Sequence, residues 1–237
     1  MCSSDLPVVD LNHRTVNPGD RLTRIHERAI SADPQIVTDV AGRYCAALWQ
    51  HGVHCTLKHF PGLGRVFEDT HMESADLATS VSELAAADWI PFRALMPDAN
   101  RFTMLGHARL TTVDGKRPVS FSPAVVAGMI RGAWHHDGIL ITDDFCMGAV
   151  TGSPEGIGGA GVAALNAGVD LILVSYDPDQ YYPVVHALLR ADRDGRLRPQ
   201  VLRQSEERLN RVARAGNGVL ARPASLAKTP GKTALTP

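Results

Sequence analysis

The sequence predicts an α/β protein built on parallel strands, of the (β/α)8 TIM-barrel kind. Three observations carry this expectation. Short β-branched or apolar runs alternate with stretches of helical period. Several of those runs end in polar, chemically capable residues. The composition, 44% hydrophobic and 21% charged over 237 residues, is that of a chain able to bury a large core. Parallel strands need crossover helices, which an open doubly wound sheet or a closed barrel supplies. Polar groups at the ends of several different strands suit a barrel, although an open sheet also binds ligands at its carboxyl edge.

The elements follow in order. Residues 7–10, Pro-Val-Val-Asp, read as the first strand. A helix is expected over 34–50, where Asp33 can cap and Pro34 can occupy the first turn. Strands are expected over 53–59, 102–107, 138–143 and 169–175, each with alternating or continuous apolar character. Between and after them, helical period covers 81–95, 122–134, 158–167, 181–192 and 199–215, the second of these opened by Ser122-Pro123. Five strands are too few to close an eight-stranded barrel, so the prediction is an incomplete one, about its last five βα units. Residues 7–214 form this domain. Residues 1–6 read as a leader foreign to it. Residues 215–237, rich in Ala, Gly, Pro, Thr and Lys, are expected to be disordered.

Charge and composition exclude several functions. Lys plus Arg number 24 against 25 for Asp plus Glu, and no basic stripe is interleaved with aromatics, so nucleic acid is not an expected partner. No apolar run approaches the roughly 18 to 20 residues that cross a bilayer, and the N-terminus lacks a secretory layout, so no membrane association is expected. Cys2, Cys45, Cys55 and Cys146 show no C-x-x-C spacing; neither a zinc site nor a disulfide framework is indicated, and a reducing, cytoplasmic location is expected.

Two segments could carry chemistry. In residues 58–71 a strand ending in Lys58-His59 becomes a loop with a proline, two glycines and Asp69-x-His71. A carboxylate two residues from an imidazole can fix its tautomer and raise its basicity, as a general acid/base requires. The alternative is a solvated loop in which the two never meet. The second segment is an apolar strand ending in Asp143-Asp144. Side chains alternate along a strand, so one carboxylate faces the site and could be nucleophile, base or metal ligand, while the alternative is a pair of caps or solvent groups. Three other patterns are decoys. Gly156-x-Gly158-x-x-Gly161 follows a loop and not directly a strand, so it reads as a small-residue helix start. His51, His54 and Cys55 straddle a helix end and a strand start. His135-His136-Asp137 lies before a strand, at the end where polar residues serve stability.

Taken together, Lys58-His59-Phe60-Pro61-Gly62-x-Gly64, Asp69-x-His71 and Ile141-Thr142-Asp143-Asp144-x-x-Met147 resemble glycoside hydrolase family 3, in its bacterial β-N-acetylglucosaminidase branch. The resemblance extends through residues 7–10, Glu27-Arg28, Ala32-Asp33-Pro34, Met104-Leu105-Gly106-His107 and Ala167-Gly168-Val169-Asp170, covering roughly residues 7 to 214. It implies a barrel and a retaining mechanism through a covalent glycosyl-enzyme. Asp143 would be the nucleophile and His71, paired with Asp69, the acid/base. Lys58, His59 and Arg28 would contact sugar hydroxyls, with His107 and Met147 also lining the substrate site and Asp144 orienting it. Leu63, Thr70 and Cys146 depart from residues common in the family without removing a catalytic group.

The resemblance begins at about the fourth barrel strand. Residues 2–6 are what a sequencing adapter encodes in one frame, so a truncated gene model is expected. The implied substrate is a β-N-acetylglucosaminide of the muropeptide type met in cell-wall recycling, with no metal or organic cofactor and a monomeric full-length parent. Two rivals stand beside it: a metal-dependent barrel hydrolase recruiting Lys58, His59, His107 and Asp143, and a non-catalytic barrel fragment.

Overall fold

The computed structural model describes residues 7–13 and 25–220. The leader (residues 1–6) and the last part of the expected tail (residues 221–237) lie outside the described residues. Helix α1 (Ile25–Arg28) is followed by α2 (Pro34–Gln50), whose start follows from its cap: the Asp33 carboxylate accepts from the amides of Gln35 and Ile36. Val37, Ala41 and Cys45, four residues apart, form its buried stripe.

The strands are β1 (Cys55–Phe60), β2 (Ala75–Leu77), β3 (Arg101–Leu105), β4 (Ala108–Leu110), β5 (Leu140–Asp144) and β6 (Leu171–Leu173). The main sheet runs β1-β3-β5-β6, every neighbour parallel. Residues 7–10 extend it beyond β1: Val9 donates to Lys58 O at 2.7 Å, and Val8 bridges Lys58 in parallel sense. Successive parallel strands in chain order, joined by helices, are the wall of a barrel. Strands β2 and β4 form a separate parallel pair on the loops leaving β1 and β3. Three residues each, they carry no readable period.

The helix expected over 81–95 divides into α3 (Val81–Ala86) and α4 (Trp89–Leu95). Ser80 and Glu83 close a capping box at the start of α3. Pro91 explains the division, because in an unbroken helix its ring would meet the carbonyl of Ala87, whereas in α4 it occupies the first turn. The break places Asp88, fully buried, where it accepts from Arg65 Nε at 2.8 Å and pairs with His13 Nε2 at 2.7 Å. Residues Ala124–Ala133 wind as a π-helix. Then come α5 (Gly148–Thr151), α6 (Gly156–Ala167), α7 (Tyr181–Arg193) and α8 (Pro199–Leu220). The last runs past the expected end at 215, so the first residues of the predicted disordered tail are helical. The Gly156-x-Gly158-x-x-Gly161 run does start a helix: a side chain on Gly158 would meet Ala187 Cβ at 2.8 Å, so the small residues serve α6–α7 packing.

An aromatic group fills the core beneath β1. Phe60 lies edge-on to Phe92 and Trp134, with centroids 5.3 and 5.5 Å away, and Trp89 donates its indole N–H to Pro61 O. Near the amino ends of β5 and β6, buried Asp170 accepts from Arg131, Arg208 and the Leu140 amide, tying the π-helix and α8 to the sheet. One correction concerns the cysteines. Cys45 on α2 and Cys55 on β1 form a disulfide, their Cα atoms 5.2 Å apart across the turn at Gly52. The pairing overturns the expectation that no disulfide is indicated, and removes the cysteine argument for a reducing compartment. No described helix is long and apolar enough to cross a membrane.

His136, buried beside Arg131, yields a stability prediction. Burial, and then the Arg131 charge, push its imidazole down to about 4. An unfolded ring titrates near 6.5, so the unfolded chain binds the extra proton first as pH falls, and stability drops between about pH 6.5 and 4. The full shift corresponds to about 3 kcal/mol. Urea unfolding at pH 7 and pH 4.5 should show most of that loss in the native chain and a smaller one in His136→Gln. His107, also pushed down by burial, acts in the same direction.

Candidate active site

The site is assembled where strands give way to loops. Burial of β1 on both faces brings Lys58 and His59 inside the wall, and the Lys58–His59 and Phe60–Pro61 peptides are cis. His59 is fixed by Asp10, at the end of the preceding segment: Asp10 Oδ2 accepts from the His59 amide at 3.1 Å and from its Nδ1 at 2.7 Å. Asp10 Oδ1 accepts from the Leu63 amide at 2.7 Å, holding the following turn. Gly64 is required in that turn, since any side chain would run into Leu11 O. With Nδ1 committed to Asp10, His59 presents Nε2 to Asp143, 4.0 Å from Oδ2.

Asp143 lies at the carboxyl end of β5, its side chain 18% exposed. Burial pushes its carboxyl up, but His59, then His107, the Asp144 amide and His71 together pull it below the ordinary carboxylate value. It is therefore ionised and reachable. Asp144 is spent on structure: its carboxylate accepts from the Cys146, Ser175 and Tyr176 amides and from the Ser175 hydroxyl, tying the end of β5 to the segment after β6. Those bonds, Ser175 foremost, outweigh burial and keep its carboxyl low.

The Asp69–His71 pair meets as an acid/base dyad would. Asp69 is buried and its Oδ1 accepts from His71 Nδ1 at 2.6 Å and from the His71 amide at 2.9 Å. The ring's Nδ1 is thereby the donor and Nε2 points away from Asp69, on a side chain 54% exposed.

Lys58 is buried within reach of the charges of Arg28, Asp143 and Asp10. Burial first, and Arg28 second, lower its ammonium. Arg28 closes α1 and so joins the same electrostatic cluster. His107 differs from the expectation of a sugar contact. It is fully buried, its Nε2 donates to Asp144 O at 3.0 Å and its Nδ1 pairs with Ser120 Oγ at 2.8 Å, so both ring nitrogens are committed within the protein. Met147 is buried at the start of α5. Sequence reasoning missed Asp10 and Ser120 as site residues; Asp10 carried a signal as the polar end of an apolar run, and Ser175, the polar end of the run 169–175, stood among the strand-end groups the sequence pointed to.

Of the four donors suggested for a metal, His107 has both ring nitrogens committed inside the protein, while His59 keeps Nε2. Among the described residues no group of three or more His, Cys, Asp or Glu converges as a metal site would.

Fold and site together define a class: a parallel β/α chain that gathers a carboxylate and a carboxylate-bound imidazole at the carboxyl ends of its strands. The chain belongs to glycosyl hydrolase family 3, whose N-terminal domain model matches residues 5–212. It is 34% identical over 182 residues to a β-hexosaminidase of Stenotrophomonas maltophilia, covering 77% of this chain and 51% of that protein. A β-hexosaminidase of Xanthomonas oryzae is 36% identical over 170 residues, 72% of this chain and 48% of that one. The chain thus spans about half the length of the curated relatives it matches. Among solved structures, a family 3 β-N-acetylglucosaminidase from Paenibacillus superposes with a TM-score of 0.83 at 29% identity, over 97% of this chain and 42% of that chain. A family 3 glycosyl hydrolase from Mycobacterium smegmatis gives 0.76 at 31% identity, over 87% and 63%.

Proposed function

We propose that this chain carries the catalytic groups of a retaining β-N-acetylglucosaminidase, acting on terminal β-linked N-acetylglucosamine of muropeptides in cell-wall recycling. The observation that carries this reading is an ionised, reachable Asp143 within electrostatic reach of the His71 imidazole, which Asp69 orients. In the first step the Asp143 carboxylate attacks the anomeric carbon, while His71 gives its Nε2 proton to the departing glycosidic oxygen. The Nδ1–H bond to Asp69 holds the ring in the orientation and tautomer this needs. In the second step the now neutral Nε2 takes a proton from water, the water oxygen attacks the anomeric carbon, and the bond to Asp143 breaks. Two inversions retain the configuration.

Lys58 and Arg28 supply N–H donors for sugar hydroxyls, and His59, oriented by Asp10, supplies Nε2 beside the nucleophile. His107 acts through the strand, by holding the Asp144 carbonyl next to Asp143. The relatives named β-hexosaminidase and the superposition on a β-N-acetylglucosaminidase support the substrate class.

The test is release of nitrophenol from nitrophenyl β-N-acetylglucosaminide, with and without a chelator. Turnover unchanged by the chelator is the expected result. Loss of turnover on chelation would favour the metal-dependent rival, and no turnover by a cooperatively folded chain would favour the non-catalytic one.

A further inference from the structure

We propose that Gly148 is a positioning residue that docks the His71 loop against the nucleophile-bearing segment, an inference that rests on reading His71 as the acid/base. Two backbone bonds make the dock: Gly148 N–H donates to His71 O at 2.7 Å and Ala149 N–H to Thr70 O at 3.2 Å. These are first-turn amides of α5, which have no partner within their own helix, and the loop satisfies them. The approach is so close that only glycine fits. A Cβ on residue 148 would lie 2.1 Å from Met72 O and 2.4 Å from Met72 C, both rigid backbone atoms.

The receiving side is itself anchored. Asp144 fixes the Cys146, Ser175 and Tyr176 amides, so the stretch from Asp143 to Ala149 is tied to the strand end and carries the loop with it. Asp69 sets how the His71 ring is turned, and Gly148 sets where the ring stands relative to Asp143. These are separate controls, one through a side chain and one through the main chain.

Gly148→Ala should push Met72 and the Met72–Glu73 peptide away, and the adjoining His71 with them, while leaving Asp143, His59 and Lys58 in place. Displacement of about 1 Å costs a catalytic group on the order of 10²-fold. The loss should fall where protonation is needed: about 10²-fold in kcat/KM for aryl β-N-acetylglucosaminides with poorly acidic phenols, and little for dinitrophenyl, which leaves unaided. A merely structural role would lower all substrates alike.

The experiment pairs that leaving-group series with amide hydrogen exchange. In the native chain the Gly148 and Ala149 amides should be protected, and in Gly148→Ala faster exchange should appear over residues 66–74. Free-loop exchange of both amides in the native chain would overturn the dock, even if the variant failed to fold. A flat leaving-group profile despite faster loop exchange would overturn the positioning role. Inactivity of the native chain on every aryl glycoside would overturn the functional reading, and the role of the dock with it, while protected amides would still show that the contact exists.

Discussion

Asp143→Ala is expected to lower turnover of nitrophenyl β-N-acetylglucosaminide by on the order of 10³-fold or more, the largest single effect in the molecule. No neighbour can take over. Asp144 has its carboxylate committed to Ser175, Tyr176 and Cys146, and Asp10 to His59 and Leu63. The shortened side chain leaves space below the anomeric carbon, and azide should enter it. Its terminal nitrogen would bond to that carbon as the aglycone departs with the proton from His71, giving the α-glycosyl azide by a single inversion. Product configuration by NMR checks this, and a β-azide or no rescue at all would count against Asp143 as nucleophile. The native acid limb should also lie low, because its neighbours hold the Asp143 carboxyl below the ordinary value, so activity should persist as pH falls through 4 on that limb.

His71→Ala is expected to give the complementary pattern. Loss of general acid catalysis costs typically 10²–10⁴-fold, so poorly acidic phenols should slow by about that factor. Dinitrophenyl glycosides should still form the glycosyl-enzyme, which then waits for a base that is gone. A rapid burst of dinitrophenol followed by a slow steady state is the expected trace. Azide needs no deprotonation, so it should release that intermediate as the β-glycosyl azide, opposite in configuration to the product from Asp143→Ala. Equal losses on all leaving groups, without a burst, would remove His71 from the acid/base role. Asp69→Asn should show a weaker version of the same signature, since the ring keeps its place but loses the carboxylate that stabilises its charged form.

How much of this was legible in the sequence depends on how far apart the partners lie. Asp69 and His71 are two residues apart, so their pairing could be read directly, and Asp143 announced itself as the polar end of an apolar strand. Helix α2 was readable to its first and last residues because Asp33-Pro34 fixes its start and the buried stripe Val37, Ala41, Cys45 continues it. By contrast, Asp10 meets His59 across 49 positions, and Ser175 meets Asp144 across 31, with no local pattern to join them. The disulfide escaped for the same reason: Cys45 and Cys55 belong to different elements, and only the α2–β1 turn brings them together. The π winding of residues 124–133 was also invisible, since the apolar positions that mark the helix do not report its pitch. Gly148 is the clearest such case. Its need for glycine comes from the backbone of Met72, which a sequence does not display.

Asp170 gives the order of synthesis a role in assembly. Two arginines neutralise it, and they arrive at different times: Arg131 precedes it in the chain, whereas Arg208 follows by 38 residues. At typical elongation rates of 5–20 residues per second, roughly 2 to 8 s pass between the two. Until Arg208 emerges, Asp170 has Arg131 alone, and one carboxylate oxygen is without its guanidinium. Sealing the amino ends of β5 and β6 thus waits on Arg208, and a ribosome that stalls before it holds a chain in which Asp69, His71 and Asp143 are all made while that end of the sheet is still open.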